Sequence, residues 1–337
     1  MQQEIKYCTT SDGVRLAYSI IGSGEPPMVR TPHWFAHLEH DLESPLFGPM
    51  IQTRTMQHRL LRYDPRGVGL SHRDNVDLNF ERLVADLETV VDAAQLDKFI
   101  LFGLSQGASL AVAYAARHPE RLTHLILFGG FARGLLRRDN SPKQKENLEL
   151  ACALIRNGWG SQEESYRQFF TSQFIPDAGR DLHHSLNETQ RLAATPDVAE
   201  RILRLNAEID VAALLPQIKT PTLVLHSTDD LRVPYAFARD IAAAIPNATL
   251  VPLESRNHLL VADEPANRVM ADAISDFLGD KRIRRLPGTA GLTKRLEKKA
   301  HALEQNWFIK FVLVFAAITG CFIFFYEIWK LYRGGAH

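Results

Sequence analysis

Phe99-Ile100-Leu101-Phe102-Gly103-Leu104-Ser105-Gln106-Gly107 runs straight into Ala108-Ser109-Leu110-Ala111-Val112-Ala113-Tyr114-Ala115-Ala116. The first part is short, apolar and bounded by glycine, as a buried strand is. The second is rich in Ala and Leu and long enough for a helix. A Gly-x-Ser-x-Gly between strand and helix has the form of a nucleophile elbow. Such a turn strains its central residue, and Gly103 and Gly107 remove Cβ atoms that would strike the flanking strand and helix. Ser105 then stands at a helix N-terminus, where unpaired N–H groups and the helix dipole favour developing negative charge. The plainer reading is a strand-to-helix turn made of small residues.

Working outward, strands and helices alternate. Ile5–Thr9 and Val14–Ile21 predict a hairpin turned at Asp12-Gly13. Short strands follow at Met28-Val29 and Leu60–Tyr63, and Leu122–Phe128 is a further buried strand. Leu83, Val84, Leu87, Val90 and Val91 recur at helical spacing within Leu78–Leu96. The alternation stops from Phe131 to about Leu214, where helix starts are predicted at Ser141-Pro142, Ser161–Glu164 and Thr195-Pro196-Asp197. It resumes with strand Thr222–His226, helix Tyr235–Ile245, strand Thr249–Leu253 and helix Asp263–Leu278. This predicts an α/β fold with a mostly parallel sheet covered on both faces. Residues 1–130 and 215–280 form its core, and 131–214 form an inserted helical lid over the sheet's C-terminal edge.

At 337 residues and 45% hydrophobic content the chain can bury a large core. Its net charge of zero gives no reason to expect nucleic acid as a partner. The three cysteines, Cys8, Cys152 and Cys321, are too sparse for a disulfide framework or a metal site. Met1–Lys6 contains no apolar run, so no secretory signal is expected. His37, His40 and Asp41 lack a third ligand at matching spacing and read as polar rim rather than metal site. Asp64–Gly69 resembles a phosphate loop but lacks its Lys-Ser/Thr ending, and reads as a structural turn. His183-His184 reads as solvated. Trp159, Tyr166, Phe169 and Phe170 read as packing within the inserted helices. No cofactor is implied.

A serine hydroxyl needs a base to take its proton, and the base needs a carboxylate to fix its tautomer. Chain order after a nucleophile elbow is serine, acid, then histidine, on loops following the last strands. Asp229 and Asp230 follow strand Thr222–Ser227. Asp230, four residues before Pro234, is the favoured acid, and Asp229 the alternative as a turn or cap residue. Of thirteen histidines, His258 occupies the loop after the final strand.

Gly103–Gly107, the Asp64-Pro65-Arg66-Gly67-Val68-Gly69-Leu70-Ser71 turn, the Asp230/Pro234 pair and Asn257-His258 together resemble the α/β-hydrolase superfamily over residues 5–280. The resemblance is greatest to bacterial lidded serine hydrolases of the kind sometimes fused to cyclase or regulator domains. It implies a Ser105–His258–Asp230 triad and an oxyanion hole from the backbone N–H of Gln106 and, by position, of Trp34. His33 stands where such proteins usually carry glycine. The implied activity is hydrolysis of an ester, thioester or lipid-derived substrate through an acyl-enzyme. The alternative is a triad-bearing small-molecule sensor that signals through a partner.

The C-terminal part differs in kind. Lys281–Arg285 and Lys294–Lys299 are basic clusters in a linker, 281–306. Phe311–Tyr326 is uncharged, and with Trp307–Lys310 it reaches the ~20 residues that cross a bilayer. Trp307, Tyr326, Trp329 and Tyr332 suit the two interfaces. A membrane span over 307–329, with a short tail at 330–337, is expected. Positive charge before the span places the hydrolase domain on the cytoplasmic side. The basic clusters would attract anionic lipid, at about 1 kcal/mol per Lys or Arg. The span also offers a contact for a homo-oligomer.

Overall fold

The computed structural model describes residues 3–74, 76–284 and 286–288. Eight strands form one sheet: β1 (Lys6–Thr9), β2 (Arg15–Ile21), β3 (Met28–Arg30), β4 (Leu60–Tyr63), β5 (Phe99–Leu104), β6 (Leu122–Phe128), β7 (Thr222–Ser227) and β8 (Ala248–Leu253). Their spatial order is β1-β2-β4-β3-β5-β6-β7-β8. The Asp12-Gly13 hairpin pairs β1 with β2 in antiparallel fashion, and β2 is antiparallel to β4. Every pair from β4 to β8 is parallel. The chain steps outward from β3 to β4 and then returns to β5 on the other side of β3. That reversal opens a crevice at the C-terminal ends of β3 and β5, where ligands bind in open α/β sheets.

The helices are α1 (Leu38–Glu43), α2 (Phe47–Thr55), α3 (Phe80–Ala93), α4 (Gln106–Arg117), α5 (Leu135–Arg138), α6 (Pro142–Gly158), α7 (Ser165–Phe174), α8 (Arg180–Ala193), α9 (Pro196–Glu208), α10 (Ala236–Ala244) and α11 (Pro265–Leu278). All six residues of β5 are buried. Ile100, Phe102 and Leu104 join a core with Ile51 of α2 and Met270 and Ile274 of α11. Phe99 and Leu101 point into the other core, with Leu87 of α3, Ala111 of α4 and Ile241 of α10. Burial on both faces explains why β5 reads as a continuous apolar run.

Helices α5–α9 lie between β6 and β7, within the interval where strand alternation stops. Ser141 and Thr195 cap α6 and α9 through their side chains, with proline at the first helical positions. The helix expected near Ser161 starts instead at Ser165, and Glu164 precedes it without a side-chain cap. Leu148, Cys152, Ile155, Trp159 and Phe170 extend the α2/α11-side core into these helices. Sheet and inserted helices belong to one compact unit, Met1–Thr289. Among the described residues no helix is long and apolar enough to cross a membrane. The stretch expected to span one, 307–329, lies outside the described residues, as does most of the basic linker.

Candidate active site

Ser105 occupies the turn between β5 and α4 at φ 56° and ψ −123°. A non-glycine residue adopts that conformation only where its surroundings enforce it. The enforcement is visible on both sides. A Cβ on Gly103 would lie 2.7 Å from Ala108 Cα and 2.9 Å from Ala111 Cβ. A Cβ on Gly107 would lie 2.2 Å from Thr31 Oγ1 and 2.5 Å from the Pro32 carbonyl. Gly103 therefore lets α4 close onto its own strand, and Gly107 admits the loop that follows β3. Thr31 locks this loop by donating from its N–H to Phe102 O (3.0 Å) and from Oγ1 to Gly107 O (2.9 Å).

Ser105 N–H donates to Phe128 O, at the end of β6, at 2.9 Å. The next residue, Gly129, has φ +60°, and a Cβ there would lie 3.0 Å from His258 Cε1. The His258 ring thus rests against the backbone of the segment that holds Ser105. His258 Nδ1 donates to Asp230 Oδ2 at 2.7 Å, and both side chains are buried. A carboxylate only accepts, so the proton of a neutral imidazole sits on Nδ1 and leaves the lone pair on Nε2. That Nε2 is buried and has no hydrogen-bond partner among the described residues. Ser105 Oγ makes no hydrogen bond to it here. Catalytic hydrogen bonds are often unmade in unliganded enzymes and tighten in the substrate complex.

Asp230, rather than its neighbour, meets His258. Its Oδ1 accepts from the N–H groups of Arg232 (2.7 Å) and Val233 (2.9 Å). Burial alone would raise this carboxyl. The His258 charge, with hydrogen bonds from His226, His258 and Val233, holds it well below the usual carboxylate range. Asp229 is exposed and hydrogen-bonds with Thr228 Oγ1. His226, on β7, brings a second imidazole to the acid: its Nε2 donates to Val233 O at 2.7 Å and lies 3.3 Å from Asp230 Oδ2. Sequence reasoning missed His226: β7 is buried at every position, so no alternation along it marks one residue, and only its place near the strand's C-terminal end was a signal.

Gln106 and Trp34 both line a cavity of about 230 Å³ that also contains Ser105. Neither their N–H groups nor the Ser105 hydroxyl donates to another group among the described residues. Trp34 does more than offer its backbone. Its indole packs at 5.8 Å from Phe170 and 5.9 Å from Phe174, forming a wall between the β3 loop and α7. His33 does not enter this space. It is buried and stacked on Phe47 at 4.6 Å, and burial, with nearby Arg30, His258 and Arg62, keeps it neutral.

The inserted helices supply the other walls. Asn206 of α9 donates to Gln106 Oε1 at 2.8 Å. The Phe174 carbonyl, ending α7, accepts from both His258 N–H (2.8 Å) and Leu259 N–H (3.0 Å). Trp159 and Phe170 are packed inside, whereas Phe169 is 46% exposed and lines the cavity. His183 is half-buried, with its ring nitrogens against Gln168 Nε2 and Ile175 O, while His184 is exposed. Asp64 accepts from the N–H groups of Leu70 and Leu38, and Arg66 is buried between Asp86 and Asp12, so this turn binds protein rather than phosphate. His37 caps α1, and Asp41 pairs with Arg30 at 3.2 Å. Among the described residues no three metal-ligating side chains cluster.

A family model for the alpha/beta hydrolase fold matches residues 33–265. The chain belongs to the α/β-hydrolase family. The Bacillus subtilis AB hydrolase superfamily protein YisY is 26% identical over 259 residues, covering 75% of this chain and 91% of that protein. A pyrrolizixenacetamide deacetylase of Xenorhabdus hominickii is 25% identical, covering 66% and 82%. In shape, this α/β hydrolase is similar to an esterase from Exiguobacterium antarcticum, at 21% identity and a TM-score of 0.70, covering 81% of this chain and 99% of that one.

Proposed function

We propose that this α/β hydrolase is a serine hydrolase that cleaves a carboxylic ester, thioester or lipid-derived substrate through an acyl-enzyme on Ser105. The observation that carries the reading is the His258 imidazole. Its Nδ1–H is committed to Asp230 at 2.7 Å, and its unpartnered Nε2 is buried at the segment that holds Ser105. In the first step Nε2 takes the Ser105 proton as Oγ attacks the substrate carbonyl. The N–H groups of Gln106 and Trp34 receive the oxyanion, aided by the N-terminus of α4. Collapse expels the alcohol or thiol, which leaves with the proton from Nε2. Water then repeats the sequence on the acyl-enzyme and releases the acid and free Ser105. Asp230 holds the imidazole in the required tautomer and stabilises its charged form. Helices α5–α9 serve as a lid that shapes the substrate cavity.

The test is labelling by a fluorophosphonate and turnover of short p-nitrophenyl esters. Wild-type protein is expected to be labelled and to turn over repeatedly, and Ser105→Ala to do neither. Intact labelling of the variant would overturn the assignment. A single slow turnover with a shift in Tm would point instead to a ligand sensor.

The same proposal extends to location. The segment 307–329 is a transmembrane anchor with the basic linker facing anionic lipid on the cytoplasmic side, and the anchor is also where copies of the chain would associate. Full-length protein is expected to remain with membranes through carbonate extraction. Its release would remove the anchor from the proposal.

A further inference from the structure

We propose that the cavity beside Ser105 selects a small substrate carrying a carboxylate, which is received by Arg232 and Arg138. The inference rests on the serine-hydrolase reading and specifies its substrate class. The residues lining the cavity include both arginines and no aspartate, glutamate, lysine or histidine. Neither guanidinium forms an ion pair with a carboxylate among the described residues.

Arg232 donates from Nη1 to Gln173 Oε1 at 3.0 Å, and its guanidinium lies 5.5 Å from the Trp34 ring and 5.4 Å from the Phe174 ring. Arg138 donates from Nε to Gly134 O at 3.3 Å and stacks at 4.2 Å on Phe237. A guanidinium has five N–H donors, so most of the donors of both side chains are unspent. Burial lowers both from their ordinary values; for Arg232 the Asp230 charge opposes this and the Arg138 charge adds to it. Burial brings Arg232 down to about 10, so it is charged at neutral pH.

Asp230 is the acid whose charge acts on Arg232, but that carboxylate is already occupied. Its Oδ1 takes two backbone N–H groups, and its Oδ2 takes the imidazoles. Half-buried Arg232 and exposed Arg138, like-charged and with spare donors, line a cavity whose other walls are apolar side chains, amides and Ser105, and this arrangement has no counter-charge until an anion arrives. A carboxylate matches the planar fork of a guanidinium in two-point hydrogen bonding. The apolar remainder of the cavity, including Leu135, Leu148, Phe131 and Leu203, suits the short carbon skeleton joining that carboxylate to the scissile ester.

Two matched esters test the proposal: mono-4-nitrophenyl glutarate and its neutral methyl ester, 4-nitrophenyl methyl glutarate. The wild-type protein is expected to favour the anionic ester in kcat/KM by about tenfold or more, the scale of one charged hydrogen bond. Arg232→Gln and Arg138→Gln are each expected to bring that ratio toward one. Arg232→Lys, which keeps the charge and loses the fork, is expected to keep part of it. Because Arg232 also packs on Trp34, the Arg138→Gln variant provides a reading independent of the oxyanion loop. A wild-type ratio near one, or a ratio unmoved by both Gln variants, overturns the proposal.

A second arm separates this from the chemistry. Ser105→Ala protein is titrated calorimetrically with glutarate, with Arg232→Gln and Arg138→Gln added to the same background. Binding that weakens about tenfold or more in those variants supports anion selection even if neither ester is hydrolysed. Absence of glutarate binding overturns it even if Ser105 proves to be a nucleophile.

Discussion

The C-terminal rim of the sheet and the helices inserted above it hold their residues by different means. At the rim, backbone does the work. Ser105 is fixed by the closeness of Gly103 to α4, of Gly107 to the β3 loop and of Gly129 to the His258 ring. In the insertion, side chains do it. Arg167 is fully buried and gives its N–H groups to the carbonyls of Trp159 (2.7 Å), Ser161 (2.8 Å) and Asn187 (3.0 Å), while Thr171 bonds Asn187 at 2.6 Å. A site fixed by backbone cannot change without moving strands. A wall fixed by side chains can be rebuilt by substitution. Ser105 and His258 thus belong to the rigid region, while the cavity is walled from both: Trp34, Gln106 and Arg232 from the rim, and Arg138, Leu148, Phe169 and Leu203 from the replaceable helices.

The sharpest way to break this contrast is at Asp230. Asp230→Asn is expected to lower kcat by about 10⁴, by favouring the wrong imidazole tautomer, whereas Asp229→Asn should stay within about twofold. Steady-state kinetics on one ester measures both. Equal losses would mean that the acid is not the residue bonded to His258.

The insertion makes the complementary prediction. Trp159 is fully buried, donates to Ala194 O at 3.1 Å and packs at 4.9 Å from Phe35. Trp159→Ala is expected to cost about 3–5 kcal/mol, read from denaturant unfolding. Loss of the insertion before the sheet, seen by hydrogen exchange, would show that the two regions unfold separately. Coincident loss would show that the shared core couples them.

The turn at Asp64 joins the regions, since Gly69 N–H donates to Ala193 O of α8 at 2.8 Å. Burial pushes the Asp64 carboxyl up to about 8. A folded-state value raised above the unfolded one gives stability that is complete below about pH 4 and is lost as pH rises toward 8. Asp64→Asn is expected to remove this slope, of at most about 1.4 kcal/mol per pH unit. Tm measured from pH 4 to 9 for both proteins checks it, and parallel curves would refute the shift.

The smallest effect is expected at the seam. Asn206→Ala removes the hydrogen bond to Gln106 and should cost about 0.5–1.5 kcal/mol. It should reach kcat/KM as roughly a two- to tenfold loss, with Tm lowered by no more than a few degrees. A large Tm loss with normal kinetics would make the contact structural only.

By itself the sequence determined the parts whose cause is local. A strand buried on both faces must be apolar throughout, and a turn crowded on both sides must have glycine two residues before and after its centre. The elbow at Ser105, the hairpin at Asp12-Gly13 and the order of strands and helices were therefore legible. So were the loops carrying Asp230 and His258, because their place after the last strands is a matter of chain order. The short helices Leu38–Glu43 and Phe47–Thr55 were not, since the segment before them lacks a clear period and tertiary packing holds them. Only the tertiary structure decided that Asp230 rather than Asp229 meets the imidazole and that His226 shares its carboxylate. It also brought Asn206 to Gln106 across 100 residues and left Arg138 and Arg232 in one cavity without a counter-charge. Those outcomes depend on which side chains converge through space, and residues far apart in sequence carry no local pattern that records it.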